Sequence, residues 1–257
     1  MRSVFPAWML FALMYPPLWG LTLRPIQAQN SQPVLISYMM PTTVTQGEPV
    51  VVDMVADNPL PTAVRVDLGM DDETDLSFTQ IPPGGVATTV RPKQHDGVSF
   101  RGKDVDPLGR FVHKIVLNRW FAFTALGTYR LKIDFLGSVK TITGASVDAR
   151  STGEFSFTLL PRDEKTLRQT CESLVRQVEG TTNVSLQNQS LQALEYVNDP
   201  VVIPCLTGAV RRNGWLAPVL ALEHIGGPEA RAALEELSLS SDSSIAAYAK
   251  ASLTRIR

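Results

Sequence analysis

Phe155-Ser156-Phe157-Thr158-Leu159-Leu160-Pro161-Arg162-Asp163-Glu164-Lys165-Thr166-Leu167-Arg168-Gln169-Thr170-Cys171 contains a change of period. Up to Leu160 the apolar residues Phe155, Phe157 and Leu159 alternate with Ser156 and Thr158, as a strand with one buried face requires. After Pro161-Arg162-Asp163, Leu167, Cys171, Leu174, Val175 and Val178 fall on one helical stripe, which Gly180 ends. The break predicts a β domain before it and an α domain after it.

Upstream, from about Pro33, the period-two pattern repeats. Val50, Val52 and Met54 alternate in one run, and Val64, Val66 and Leu68 alternate with Arg65 and Asp67 in the next. Tyr129, Leu131, Ile133 and Phe135 alternate with Arg130, Lys132 and Asp134, within a stretch from Asn118 to Phe135 that carries the sharpest β signal. Weaker strands are expected at Val34 to Tyr38 and Phe111 to Leu117, and turns at Asn58 to Pro61 and Pro82 to Gly85. One apolar and one wet face per strand is the requirement of antiparallel sheets packed face to face.

Downstream, Thr181 to Gln189 is polar and reads as a surface turn. Helices are expected at Leu191 to Val197, Pro200 to Arg211, Trp215 to Ile225, Pro228 to Leu237 and Ile245 to Ile256, with Asp199 and Gly227 as caps ahead of Pro200 and Pro228. Leu194, Val197, Pro200 and Leu206 recur as Leu222, Ile225, Pro228 and Leu234 at a constant offset of 28 residues. A half copy, Leu253 and Ile256, follows. Periodicity of this kind signals stacked helical pairs, and two and a half units predict an array that leans on another surface.

The Gly127-Thr128-Tyr129 strand entry resembles the tyrosine corner of immunoglobulin-like and fibronectin-like sandwiches, and Thr45-Gln46-Gly47-Glu48-Pro49-Val50 is similar to a strand opening of bacterial immunoglobulin-like domains. Ala221-Leu222, Ile225-Gly226, Pro228-Glu229-Ala230 and Ala233-Leu234 resemble short HEAT-like repeats of the lyase-associated type. The preceding copy departs from that consensus, with Asn198-Asp199 in place of the glycines and Val201-Val202 in place of Glu-Ala. Together the resemblances imply a multidomain β plus α chain: an antiparallel immunoglobulin-like β-sandwich over residues 29–160, then a short α-helical HEAT-like domain over 161–257. Both families mostly bind and scaffold.

Residues 1–28 have the layout of a signal peptide: Arg2, an apolar run from Val4 to Leu23, and Ala28 as a cleavage residue. Pro6, Pro16 and Pro17 interrupt the run, which disfavours the alternative of a retained membrane anchor. Among 257 residues, 44% are hydrophobic, a normal globular composition. Removing residues 1–28, which carry Arg2 and Arg24 and no acid, takes the formal charge from −1 to −3. That balance argues against a nucleic-acid partner, whose phosphates require a clustered basic surface.

The two cysteines, Cys171 and Cys205, lie on the apolar stripes of expected helices, and an exported chain favours a disulfide between them over two buried thiols. His95, His113 and His224 share no ligand spacing and accompany no nucleophile motif, so no catalytic residue, metal centre or cofactor is expected. His113 shares a strand face with Phe111 and Ile115, the position of a core or edge histidine. Asp71, Glu73 and Asp75 are weak calcium candidates, because oxygen ligands alternate there but the loop lacks its turn glycine and closing Glu. Arg211, Arg212 and Trp215 meet at a helix junction and are the partner-contact candidates, against a solvated turn with Trp215 in the core. The expectation is an exported, periplasmic or extracellular, non-enzymatic protein-binding or scaffold module of the cell envelope, or alternatively an accessory or inhibitory subunit of an exported hydrolase.

Overall fold

The computed structural model describes residues 33–69, 73–92 and 102–256; the expected signal peptide, Asp71 and His95 lie outside them. Thirteen strands precede six α-helices among these residues. The strands are β1 (Val34–Met39), β2 (Thr43–Thr45), β3 (Val51–Asp57), β4 (Val64–Asp67), β5 (Leu76–Ile81), β6 (Thr88–Val90), β7 (Gly102–Val105), β8 (Arg110–Val116), β9 (Gly127–Phe135), β10 (Val139–Thr141), β11 (Ser146–Val147), β12 (Ala149–Thr152) and β13 (Glu154–Leu160). They form three sheets, ordered β12-β1-β3-β8, β11-β10-β4-β7 and β2-β13-β9-β5-β6. One apolar core joins all three, with Ile36, Val52 and Met54 from the first, Val66 and Val139 from the second, and Phe78, Ile133 and Phe157 from the third.

Most pairs are antiparallel, but β1 runs parallel to β12 and β2 parallel to β13. The chain crosses from the first sheet to the third between β1 and β2, and again between β12 and β13, so its early and late strands lie side by side in both. Gly153 makes the second crossing. Its carbonyl accepts from the Ile133 amide at 2.8 Å, and a Cβ there would stand 2.1 Å from the Ile133 oxygen.

Alternation holds along β9, where Tyr129, Leu131 and Ile133 are buried and Thr128, Arg130 and Lys132 exposed. Before it, the expected strand character of residues 118–126 is overturned. A 3-10 turn spans Leu117–Arg119 and irregular chain runs to Gly127. One long-range and one local side-chain bond divert the backbone: Asn118 Oδ1 accepts from the Val50 amide at 2.6 Å, and the Ala125 amide donates to the Tyr129 hydroxyl at 3.0 Å. The second bond is the upstream contact of a tyrosine corner.

The helices are α1 (Glu164–Gly180), α2 (Val184–Glu195), α3 (Ile203–Asn213), α4 (Ala217–Ile225), α5 (Gly227–Leu237) and α6 (Ser243–Arg255). Asp163 caps α1 through the Lys165 and Thr166 amides, and Asp199 caps the 3-10 turn Pro200–Val202 that leads into α3. The turn expected over residues 181–189 is instead the start of α2. Asn183 caps it, accepting from Ser185 and Leu186 at 3.0 and 3.2 Å, and the polar Gln189 and Ser190 are buried rather than solvated. Helices α1, α3 and α5 neighbour one another in one layer and α2, α4 and α6 in another, making three stacked hairpins. Helix α1 carries no part of the 28-residue pattern, whose first copy begins with Leu194 on α2, and adding it turns two and a half units into three hairpins. Their apolar side chains form a second core, separate from that of the strands.

The described residues nonetheless form one compact unit, and polar contacts join its two cores. The turn after β2 is the main one. Gly47, at φ +98°, presents its carbonyl to the Asn198 amide at 2.9 Å, and a Cβ on it would stand 3.1 Å from both the Asn198 oxygen and Leu167 Cδ2. Glu48 accepts from the Thr45 amide at 2.7 Å with one oxygen and from the Thr170 hydroxyl of α1 with the other. Arg162 forks onto Asp199, with Nη2 3.0 Å from Oδ1. A second contact closes the free edge of β8, where the Lys114 amide donates to Gln189 Oε1 of α2 at 3.2 Å.

Three outcomes test this joint. Gly47→Val places a β-branched residue at positive φ against backbone, so it should lower stability by about 1–3 kcal/mol in chemical denaturation; an unchanged midpoint would refute the close approach. Burial would raise the Asp199 carboxyl, but Arg162 and the Val201 amide more than offset it and hold the group below the ordinary range. Its contribution is therefore present above the usual Asp value of about 3.9 and lost as pH falls through the lower folded value. Asp199→Asn should cost about 1–3 kcal/mol at neutral pH, with the two proteins converging in acid. Finally, Cys171 and Cys205, 6.6 Å apart at Cα, stand at disulfide distance across α1 and α3. The unreduced protein should show no reactive thiol, and reduction should remove about 3–4 kcal/mol on the chain-entropy estimate, read as a fall in Tm.

Candidate functional site

Concavities flank the joint, among them one of about 590 Å³ where Lys114 of β8 meets α1 and α2, with Arg176 and Ser190 in its walls. Another, about 600 Å³, opens between the irregular 118–126 segment and the α2 and α4 ends, and its walls include Glu48, Arg119, Trp120, Phe123, Tyr196 and His224. Trp120 stacks on Phe78 with centroids 4.4 Å apart, and the Arg119 guanidinium lies 4.9 Å from the Trp120 ring centre. Arg119 also pairs with Glu73, whose side chain is only 3% exposed. Behind that carboxylate, His113 Nε2 stands 3.8 Å from Glu73 Oε1 and has no hydrogen-bond partner, while Nδ1 faces Gln189 Nε2 at 3.4 Å. Since the Gln189 oxygen is taken by the Lys114 amide, its NH2 donates, and His113 Nδ1 must accept.

On the opposite wall His224 stacks on Tyr196 at 5.3 Å, and its Nδ1 lies 3.1 Å from the Glu195 carbonyl. A carbonyl only accepts, so Nδ1 carries a proton and the neutral ring keeps Nε2 as an acceptor. Burial raises the Glu195 carboxyl, against the lowering effect of His224 and Arg119. The Tyr196 phenol is raised by burial and by the Glu195 charge. Among the described residues no group of three or more His, Cys, Asp or Glu is placed to hold a metal ion. The cleft offers ring edges, amides and one fixed imidazole, groups that hold a ligand by stacking and hydrogen bonding.

A smaller concavity, about 420 Å³, runs between α1 and α3 on the other layer. Val175, Val201, Pro204 and Cys205 line it together with Arg168, Arg176 and Arg212. The Cys171–Cys205 pair ties its two walls together. Arg212 contacts Glu179 at 3.4 Å, a carboxylate that Asn213 Nδ2 holds more closely at 2.9 Å. Among the described residues Arg168 and Arg176 have neither hydrogen bond nor ion pair; Arg168 reaches Asp199 only as a charge at longer range.

The fold brings Cys171 and Cys205 together but disperses the partner-contact and calcium candidates. Arg211 points to Glu236 of α5, Arg212 lines the α1–α3 groove, and Trp215 is half-buried against the helical core. Of the acids, Glu73 is buried on Arg119, and Asp75 has its carboxyl raised by burial and by Asp67. His113 is a core-edge histidine with one nitrogen unsatisfied. Arg168 and Arg176 were invisible as a site because a charged helix face ordinarily meets water. Their only linear signal is a spacing of eight residues, two turns along one side of α1.

No protein-family model and no curated protein matches the chain. Among solved structures it is similar to the CARDB domain of the PF1109 protein of Pyrococcus furiosus, crystallised with di-metal ions, at 13% identity and TM-score 0.26, covering 51% of this chain and 97% of that one. The sporulation control protein Spo0M of Bacillus subtilis aligns at 10% identity and TM-score 0.25, covering 56% of each chain. Vertebrate astrotactin-2 aligns at 10% identity and TM-score 0.20, over 84% of this chain and 38% of that one. The β plus α architecture rests on the strand registers and the two cores.

Proposed function

We propose that this chain is an exported, non-enzymatic protein-binding or scaffold module of the cell envelope. The observation that carries the reading is the two-layer stack of three helical hairpins, fixed to the strands through the Gly47 turn, with an open concavity on each layer. Stacked hairpins present extended surfaces at fixed spacing, which suits them to gripping another protein. The consensus residues from Ala221 to Leu234 support a HEAT-like identity for this stack, and the tyrosine corner supports an immunoglobulin-like identity for the sandwich. The Cys171–Cys205 pair supports an oxidising compartment, as does the layout of residues 1–28. Among the described residues no helix is long and apolar enough to cross a membrane.

The runner-up, an accessory or inhibitory subunit of an exported hydrolase, is favoured by one feature. The Pro82–Val86 loop protrudes with Val86 85% exposed and Leu126 51% exposed beside it, an apolar tip of the kind that enters a cleft.

In-cell cross-linking followed by purification separates these readings. Under the scaffold reading a stoichiometric partner cross-links to positions on α1 to α6 and is indifferent to Val86→Asp. Loss of the cross-link on Val86→Asp supports the inhibitor reading, and no specific cross-link from any helix refutes the first.

A further inference from the structure

We infer that the groove between α1 and α3 is a docking site for an extended acidic peptide segment with an apolar residue between its acids, supplied by the protein partner proposed above. The inference deepens that reading and rests on it.

Charge and spacing select this occupant. Arg168 and Arg176 line the groove without a hydrogen bond or ion pair among the described residues, and Arg212 joins them from α3 while paired with Glu179. With Glu172 and Glu179 in the same walls, three arginines stand against two carboxylates, one of which Arg212 already holds. Arg176 also borders the concavity beside Lys114. Guanidinium groups are weakly hydrated and match carboxylates with two parallel hydrogen bonds, so unpartnered arginines on one groove favour carboxylate ligands. Eight residues along α1 separate Arg168 from Arg176 by about 12 Å at the helical rise. An extended chain places residues i and i+4 on one side about 13 Å apart, with i+2 on that side between them. Two acids spaced i and i+4 therefore reach both arginines, which a single small anion does not.

The middle position is specified as well. Glu172 lines the groove midway between the two arginines and opposes a third acid there, whereas Val175, Val201 and Pro204 offer apolar contact. The segment's pattern is thus acid, any, apolar, any, acid. Because the Cys171–Cys205 pair fixes one wall to the other, the groove is formed before the peptide arrives, which lowers the cost of binding.

The test uses the full unreduced chain and fluorescein-labelled decapeptides, read by fluorescence anisotropy. A peptide centred on Asp-Ser-Leu-Ser-Asp should bind saturably and weaken as salt rises, while its Asn-Ser-Leu-Ser-Asn counterpart and Asp-Ser-Asp-Ser-Asp should bind at least tenfold more weakly. The double variant Arg168→Glu with Arg176→Glu should lose at least tenfold, whereas Arg231→Glu, exposed on α5 outside the groove, should bind like wild type. Because Arg168 reaches Asp199 only as a charge at longer range, the double variant should still fold, and its Tm, measured alongside, separates loss of binding from loss of structure. No saturable binding at millimolar peptide, equal binding of the Asn peptide, or an unaffected double variant would each overturn the inference. Peptide binding without any cellular cross-link would remove the functional reading and leave the groove standing; a cross-link that survives the double variant would do the reverse.

Discussion

The Asn198 amide donates to the Gly47 carbonyl, and the relative placement of two separate apolar cores depends on that contact. A hydrogen bond is directional where apolar burial is not, so a polar joint sets orientation at modest net energy. Gly47 can serve because its φ of +98° aims the carbonyl outward and its missing side chain admits the Asn198 oxygen and Leu167. Around it, Glu48 reaches Thr170, Arg162 holds Asp199, and Gln189 covers the edge of β8. Each of these bonds needs the others in register, and together they order an interface that little apolar packing supports.

Asn198-Asp199 is also where the first repeat copy loses the glycines of the second. The two departures have one cause. In the second copy Gly226 and Gly227, both at positive φ, turn the chain between α4 and α5 with no neighbour to satisfy. In the first, the equivalent junction faces the sandwich, and it carries an amide for Gly47 and a carboxylate for Arg162. A break in a repeat thus marks the place where the array meets something other than itself.

Charge is divided on the same principle. Inside the joint Glu73, Arg119 and His113 are gathered because removing a carboxylate from water demands a close counter-charge and donors. Outside, Arg168 and Arg176 stay solvated, and nothing in the fold requires them to be paired. The interior cluster serves the architecture, whereas the exterior arginines are free to serve a ligand. That contrast separates the α1–α3 groove from the aromatic cleft beside the joint, where Arg119 is already engaged by Glu73 and Trp120.

What the sequence by itself determined was local: the alternation of β9 and β13, the helical stripe of α1, the Asp199 cap, and the switch of period near Pro161. Each depends on residues within a few positions of one another, where backbone geometry dictates the pattern. The first half of α2, residues 184–190, escaped because its inward side chains, Gln189 and Ser190, are polar and hydrogen-bond to other segments. The 118–126 segment reads as a strand because its aromatic content suits one, yet Val50 and Tyr129 claim its backbone and side chains. Tertiary structure alone decided that Arg212 stands beside Arg168 and Arg176 while Arg211 turns to Glu236. The reason is geometric. Adjacent helical residues point about 100° apart, so which of two neighbouring arginines joins a site is set by what the helix packs against.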